Sequence, residues 1–248
     1  IERDLIFNDE GSARVKIKID LINSARQSSI HQIKVAELRG ISGRSAAIFN
    51  VTLEAVVIQS VQYVEDIDTG WLRVRLEDDN SMISLPSCLK VQIYRTDPQR
   101  EYFTITEGAL QGKKASVRRK PGGLSYLSSN ISHIDPVDAV YSISKKTLQI
   151  SNKIYLTKDY PSAGWKEGIY DIEIPDFPHR GGLNYPDVKH ATTWFRVGHS
   201  SDRYIHTGRN SLGCITVIER DRWDELYATL KKARKGDSVS IGTLLVIE

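Results

Sequence analysis

The sequence of 248 residues contains only two cysteines, Cys88 and Cys214, and a single methionine. Two thiols form one disulfide at most, which excludes a disulfide-stabilised scaffold and a cysteine-rich zinc site. No run of about 18 apolar residues occurs, so a transmembrane helix is not expected. The chain begins at Ile1 rather than methionine. We therefore expect a processed or trimmed product, in which a missing signal peptide does not indicate the compartment.

Charge is almost balanced overall, with a net charge of +3, but it is uneven along the chain. Residues 1–110 carry 13 Lys/Arg and 16 Asp/Glu, whereas residues 111–248 carry 21 and 15. The basic excess begins in the segment 113–120. A positive C-terminal half would attract an anionic polymer such as nucleic acid, an anionic membrane or the bacterial cell wall. The alternative is a solvated linker, and because no nucleic-acid-binding motif occurs, no nucleic-acid partner is expected.

Alternation of apolar and polar residues predicts strands along most of the chain. The predicted strands cover residues 13–21, 51–64, 71–76, 89–94, 102–105, 139–144, 147–151, 154–156, 168–174, 192–197, 203–206, 239–241 and 244–247. The spacing of Trp223, Leu226, Tyr227 and Leu230 predicts one helix, with Asp221 as its N-cap and Gly236 closing its C-terminal end. The segment 175–190, rich in proline and glycine, is predicted to be a long loop of the kind that forms a lid or a substrate wall.

These patterns predict a mainly β fold in two parts. Residues 1–112 would form a β-rich N-terminal domain of unknown role, and residues 113–136 a basic linker rich in Gly, Pro and Ser. Residues 137–248 would form a second β-rich domain with one main helix. The alternative is one continuous domain, in which residues 1–112 complete the core or cover a cleft.

The segment 204–217 carries the residues that are most informative about chemistry. A strand ends at His206, a polar loop follows, and Gly213 and Cys214 precede the next strand. An imidazole brought close to the thiol would take its proton and hold a thiolate–imidazolium pair. Backbone N–H groups beside Gly213 would hold a developing oxyanion. The alternatives are a buried thiol that packs as a small hydrophobic group and a core histidine bonded to a carbonyl.

Ile205-His206 and Ser211-Leu212-Gly213-Cys214-Ile215 resemble the active-site motif of the L,D-transpeptidase catalytic domain, the YkuD-like family. The similarity extends over about residues 137–248 and includes Trp194-Phe195-Arg196-Val197 before the His206 strand and the ending 242–247. The resemblance implies an L,D-transpeptidase-like β-sandwich or mixed-sheet domain. Three features depart from the family pattern. The loop between His206 and Cys214 is short, Leu212 stands where the family often has His, and Thr216 stands where it usually has Arg.

The resemblance also implies roles for individual residues. Cys214 would attack the carbonyl of the third residue of a peptidoglycan stem peptide and form a thioester. His206 would be the base, oriented through its other ring nitrogen by a nearby carbonyl such as that of Thr207. The N–H groups of Gly213 and Cys214 would hold the oxyanion, and Ser211 would shape the loop. No metal or organic cofactor is implied.

Other residues are weaker candidates. His199 is an alternative base, although its surroundings predict a turn. His179 and His190 lie in or beside the 175–190 loop but lack the carboxylates and spacing of a zinc site. Cys88 is expected to be an inert thiol. The remaining aromatic and loop residues fall into two groups, namely possible sugar-stacking platforms (Trp71, Trp165, Tyr185 and Trp194) and further substrate-binding residues (Arg209 and Asn210).

The sequence thus predicts a cysteine-dependent acyltransferase that acts on peptidoglycan stem peptides, either an L,D-transpeptidase or an L,D-carboxypeptidase. Compact, divergent members of this kind include effectors that target the cell wall. The expected location is the periplasm, the cell envelope or outside the cell, and the N-terminal domain would bind a protein partner or the wall polymer. The alternative is a non-catalytic cell-wall- or protein-binding module on the same fold.

Overall fold

The computed structural model describes residues 60–160 and 164–248, together with the backbone of two short strands near the N-terminus. Those two strands, β1 (Leu5–Phe7) and β2 (Ala13–Val15), pair antiparallel within a unit formed by residues 1–53. The rest of the predicted strand 13–21 and the first part of the predicted strand 51–64 lie outside the described residues. Residues 54–248 form the second compact unit.

The first sheet of the second unit has seven strands, in the order β5-β4-β8-β7-β6-β3-β9, and all its pairs are antiparallel. Its strands are β3 (Ser60–Val64), β4 (Trp71–Leu76), β5 (Met82–Pro86), β6 (Lys90–Thr96), β7 (Arg100–Ile105), β8 (Lys114–Arg118) and β9 (Leu127–Ser128). In β4 the side chains alternate as the sequence predicts, because Leu72, Val74 and Leu76 face the core while Arg73 and Arg75 face solvent.

The second sheet has eight strands, in the order β13-β17-β10-β11-β12-β16-β15-β14. Its strands are β10 (Val137–Ser142), β11 (Thr147–Ile150), β12 (Lys153–Lys158), β13 (Gly168–Glu173), β14 (Phe195–Arg196), β15 (Tyr204–Thr207), β16 (Ile215–Val217) and β17 (Ser240–Ile247). Two pairs are parallel, β10 with β17 and β15 with β16, so the sheet is mixed. The mainly β fold with two large sheets is therefore confirmed.

One α-helix, α1 (Trp223–Leu230), buries Trp223, Leu226, Tyr227 and Leu230, as the apolar spacing predicts. Its ends differ from the prediction. A 3-10 turn at Arg220–Arg222 precedes the helix, so Arg222 rather than Asp221 is at the N-cap, and no side chain caps it. The helix ends at Leu230, well before Gly236. No helix in the described part of the chain combines the length and the apolar character needed to cross a membrane.

The segment 113–136, predicted to be a linker, is partly a strand. Residues 114–118 form β8 between β4 and β7, because Ala115, Ser116 and Val117 are buried there between charged ends. Buried apolar side chains of both sheets belong to one hydrophobic cluster. The independent folding of residues 137–248 stays a prediction, and expression of residues 130–248 alone tests it.

Polar contacts also join the two sheets. Arg234 donates from Nη2 to the Glu107 carboxylate at 2.8 Å and to the Cys88 carbonyl at 3.1 Å. The Lys231 ammonium contacts the Asp66 carboxylate at 2.5 Å. Because Arg234, Glu107 and Lys231 are almost fully buried at these contacts, breaking one pair would leave an uncompensated charge.

Candidate active site

The candidate site lies where β15 and β16 run side by side. His206 on β15 is directly opposite Thr216 on β16, and Cys214 immediately precedes β16. One step back in the same register, Cys214 lies beside Tyr204, so the Cys214 and His206 side chains share one face of the sheet. The two residues are therefore diagonal neighbours across the parallel β15–β16 pair.

The loop between His206 and Cys214 is held by Tyr185. The Tyr185 hydroxyl accepts a hydrogen bond from the Arg209 backbone N–H at 2.8 Å. A Cβ atom at Gly208 would lie 3.0 Å from the Tyr185 ring, so only glycine permits this close approach. Tyr185 therefore positions the loop. The tip of the loop is open to solvent, where the Leu212 side chain is 94% exposed.

His206 is buried and makes two hydrogen bonds that fix its tautomer. Its Nδ1 lies 2.8 Å from the Thr207 carbonyl oxygen, which can only accept, so Nδ1 carries the proton. The Thr207 carbonyl thus holds the His206 ring through Nδ1. Its Nε2 lies 3.1 Å from the Thr216 hydroxyl and accepts from it. Burial lowers the pKa of His206 to about 4, so the imidazole is neutral near pH 7.

The His206 ring is part of a stack of aromatic rings. Trp194 lies between two imidazoles, with its ring centroid 4.1 Å from that of His206 and 4.5 Å from that of His179. Phe177 stacks on the other face of His179 at 4.4 Å, and the Trp194 Nε1–H donates to the Ala191 carbonyl. Both faces of Trp194 are covered, so the expected role as a sugar-stacking platform is not available to it. Its packing instead fixes the plane of His206.

Asp176 anchors the far end of this stack. Its carboxylate contacts His179 Nε2 at 3.1 Å and Arg196 Nη2 at 2.6 Å. Although burial acts to raise the pKa of Asp176, the hydrogen bonds from His179 and Arg196 lower it to about 2. Asp176, His179 and Arg196 were not predicted as a group. Their only signal in the sequence is the length of the loop that contains Asp176 and His179.

Cys214 is 8% exposed, and burial raises the pKa of its thiol. A backbone hydrogen bond from Tyr204 and the positive charge of Arg203 act in the opposite direction. The hydrogen bonds of the His206 ring go to Thr207 and Thr216 rather than to Cys214. Burial thus acts against both charged forms of the expected pair, the Cys214 thiolate and the His206 imidazolium.

Ser211 makes two hydrogen bonds within the segment 211–214. Its hydroxyl donates to the Cys214 carbonyl at 2.7 Å and accepts from the Gly213 N–H at 3.2 Å. Gly213 has a φ of 120°, in the region that favours glycine. Of the two expected oxyanion donors, the Gly213 N–H thus already has an acceptor. A substrate oxyanion would have to compete with the Ser211 hydroxyl for it.

The weaker candidates lie apart from this pair or are structural. His199 is exposed and contacts the carboxylates of Asp171 and Glu173, each at 3.0 Å. The His190 ring packs on Tyr227, with centroids 4.1 Å apart. Cys88 is fully buried, and burial raises the pKa of its thiol. No group of three or more His, Cys, Asp or Glu within the described ranges is arranged to hold a metal ion.

The proposed substrate residues have separate positions. Arg209 and Asn210 are exposed at the loop between His206 and Cys214, and the Asn210 carbonyl lies 3.3 Å from the Thr216 hydroxyl. Thr207 is buried, and its own hydroxyl donates to the Val217 carbonyl at 3.2 Å. Arg209 and Asn210 are thus accessible to a substrate, whereas the Thr207 side chain only supports the strand pair.

The ring stack makes a testable prediction for Trp194. In Trp194→Ala, the loss of contacts with two imidazoles should lower the free energy of unfolding by about 2–4 kcal/mol. Water that reaches His206 should also raise its pKa from about 4 towards its ordinary value. Urea unfolding and NMR titration of the histidines measure the two effects. Trp194→Phe is the control, and it should change the free energy of unfolding and the pKa of His206 less than Trp194→Ala does. An unchanged His206 pKa in the alanine variant would refute the role of the stack.

No protein-family model and no curated protein matches the sequence. Three solved structures from Mycobacterium tuberculosis are similar, each with a TM-score of 0.31. An L,D-transpeptidase of strain H37Rv is 12% identical over 64% of this chain and 90% of its own. L,D-transpeptidase 1 is 14% identical over 61% and 91%, and L,D-transpeptidase 3, with a faropenem-derived adduct, is 12% identical over 77% and 82%. Likeness at this level does not establish a shared family.

Proposed function

We propose that the protein catalyses cysteine-dependent acyl transfer on peptidoglycan stem peptides through a thioester on Cys214. One observation carries the proposal. The neutral His206, with its Nδ1–H bonded to the Thr207 carbonyl, presents the unprotonated Nε2 on the sheet face that also holds Cys214. A base in this tautomer is what a buried thiol needs to lose its proton during attack. The substrate class comes from the resemblance of residues 205–215 to the L,D-transpeptidase motif.

The reaction would proceed in two steps. The Cys214 thiol gives its proton to His206 Nε2 while its sulfur attacks the carbonyl carbon of the third stem residue. The resulting oxyanion collapses, the C–N bond breaks, and the imidazolium returns the proton to the leaving amine of the D-amino acid. A thioester remains on Cys214. An amine from a second stem, or water, would then attack the thioester carbonyl, the C–S bond would break, and the Cys214 sulfur would take up the proton that the nucleophile loses. The amine would give a cross-link and water a shortened stem.

Products from purified muropeptides test the proposal. Mass spectrometry should detect loss of the terminal D-amino acid, together with cross-linked dimers if an amine is the acceptor or trimmed monomers if water is. The exposed loop with Arg209 and Asn210 is the proposed contact for the stem peptide. Because this substrate lies outside the cytoplasm, the proposal also places the protein in the periplasm, in the envelope or outside the cell. The wall that it acts on can be that of the producer or that of a competitor. Unchanged muropeptides after prolonged incubation would reject it.

Thr216 supplies a prediction that is specific to this chain. Its hydroxyl has one proton and two acceptors within reach, His206 Nε2 at 3.1 Å and the Asn210 carbonyl at 3.3 Å. In Thr216→Val, Nε2 loses its resting donor, and the shape of the buried side chain is nearly kept. A neutral hydrogen bond contributes about 0.5–1.5 kcal/mol, so iodoacetamide should label Cys214 roughly 2–10 times faster at neutral pH.

Thr193→Val is the matched control, because the Thr193 hydroxyl is also buried and has no hydrogen-bond partner among the described residues. Its labelling rate should equal that of the unchanged protein. Slower labelling of the Thr216→Val variant would show that Thr216 orients the imidazole rather than competing with the thiol for it.

The second candidate function is a non-catalytic module that binds cell wall or protein. The raised pKa of the buried Cys214 thiol and the occupation of His206 Nε2 by Thr216 favour it. A module of this kind would bind intact peptidoglycan in a pull-down assay with no change in the muropeptides. For a binding module, Cys214→Ala should bind peptidoglycan as well as the unchanged protein does, and neither protein should form products. Product formation by the unchanged protein would instead favour the acyltransferase.

A further inference from the structure

The seven-stranded sheet opens between two of its central strands. β4 and β8 pair only at Arg75 with Ser116 and at Leu76 with Ala115, although each strand is at least five residues long. A cavity of about 560 Å³ lies among the remaining residues of these two strands. That volume is typical of a site for a small molecule.

The residues that line this cavity are strongly basic. Four arginines contribute to it, Arg73, Arg75, Arg100 and Arg118, and no carboxylate is among the described lining residues. Arg100 and Arg118 are directly opposite each other in the β7–β8 ladder. Like charges in directly opposed positions destabilise a sheet. An anion bound between these arginines would offset their repulsion and stabilise the sheet.

The arginines of the cavity differ from the neighbouring basic residues in their partners. Lys113 contacts the Asp78 carboxylate at 2.8 Å, and Arg119 contacts that of Glu101 at 3.3 Å. In contrast, Arg73, Arg75 and Arg118 make no ion pair with any carboxylate among the described residues. Their guanidinium groups, which are exposed to solvent, are available to a ligand.

The walls of the cavity hold the fourth arginine and add apolar surface. Arg100 donates from Nε and Nη2 to the Ser116 hydroxyl at 3.2 and 2.9 Å, and from Nη2 to the Ser116 carbonyl at 2.9 Å. These bonds fix one guanidinium in the wall. Trp71 and Tyr126 supply aromatic surface. The Trp71 Nε1–H is buried without a hydrogen-bond partner among the described residues.

We propose that this cavity binds a small organic anion that carries at least two phosphate or carboxylate groups. The planar fork of a guanidinium matches both groups through paired N–H donors, and several arginines in one row suit more than one anionic group. Trp71 and Tyr126 would contact the carbon skeleton of the ligand. The proposal does not depend on the chemistry of Cys214.

Isothermal titration of the full chain with pyrophosphate and with citrate tests the proposal. Saturable binding of one probe per chain is expected, and it should weaken by about tenfold or more in Arg73→Gln and in Arg118→Gln, because each loses a charge-assisted hydrogen bond. Arg73→Lys keeps the charge but lacks the planar fork of donors, so its affinity for the probe should lie between those of the unchanged protein and of Arg73→Gln. Binding of pyrophosphate alone assigns a phosphate ligand, and binding of citrate alone a carboxylate ligand.

Arg180→Gln is the matched control. Arg180 is exposed, lies outside the cavity and makes no ion pair with the described residues, so its removal should leave the affinity unchanged. Equal weakening by Arg180→Gln would show that the anions respond only to the overall charge and would overturn the proposal. The absence of saturable binding of both probes at millimolar concentration would overturn it as well.

Discussion

Replacement of Cys214 by alanine should reduce the turnover of muropeptides by at least three orders of magnitude, roughly the loss seen when an enzyme loses its nucleophile. The free energy of unfolding should change by less than about 1 kcal/mol, because the side chain is small and its thiol makes no hydrogen bond to His206. Steady-state product formation, together with urea unfolding, measures both quantities on the same samples.

Cys88→Ala is the control for this experiment. Cys88 is fully buried in the turn between β5 and β6, away from the candidate site, so its replacement should preserve turnover even where it lowers stability. A thiol probe should label Cys214 long before Cys88. Full turnover by the Cys214→Ala variant would refute the proposed nucleophile.

Replacement of His206 by alanine should have the second largest effect. Loss of a general base typically reduces the rate by about 10²–10⁴-fold. Because the base must be neutral and the pKa of His206 is lowered to about 4, the acid limb of kcat/KM in the unchanged protein should lie near pH 4. A histidine with an ordinary pKa would place this limb near pH 6.5 instead. The pH dependence of turnover measures the position of the limb.

His199→Ala supplies the control for the base. His199 is exposed and bonded to the carboxylates of Asp171 and Glu173, so its removal should change turnover little. A large loss in the His199 variant, with activity retained in the His206 variant, would show that the base was assigned incorrectly. An acid limb near pH 6.5 would instead contradict the burial-lowered pKa.

The sequence predicted β4, in which burial alternates, and missed β8, in which charged ends flank a short buried centre. In β4, exposed Arg73 and Arg75 alternate with buried apolar residues, and the predicted bounds agree with the structure. In β8, only three buried residues lie between Lys114 and Arg118, and the surrounding basic run suggested a linker. Pairing with β4 and β7 stabilises this strand, and such partners are not visible in a local pattern.

In the candidate site too, the sequence predicted contacts between neighbours in the chain but not those that the tertiary fold creates. The motif named the Thr207 carbonyl as a partner of His206, and this hydrogen bond is present in the structure, because the two residues are adjacent in the chain. The reactive roles of His206 and Cys214 stay predictions. The stack of Trp194 and His179 on His206 depends on a fold that brings a distant loop to the sheet. The burial of Cys214 and His206 was one of the alternatives that the sequence left open, since a local pattern does not specify the burial of a loop thiol.

Mass spectrometry of the intact protein after rapid quenching with a muropeptide donor tests the central claim most directly. We expect a covalent adduct on Cys214 that raises the mass of the protein by the mass of the donor minus the mass of the free D-amino acid, because the leaving amine takes up the thiol hydrogen. The adduct should disappear when an acceptor amine is added and should be absent from Cys214→Ala. Turnover of muropeptides with no adduct on Cys214, or an adduct that persists in the Cys214→Ala variant, would contradict the account.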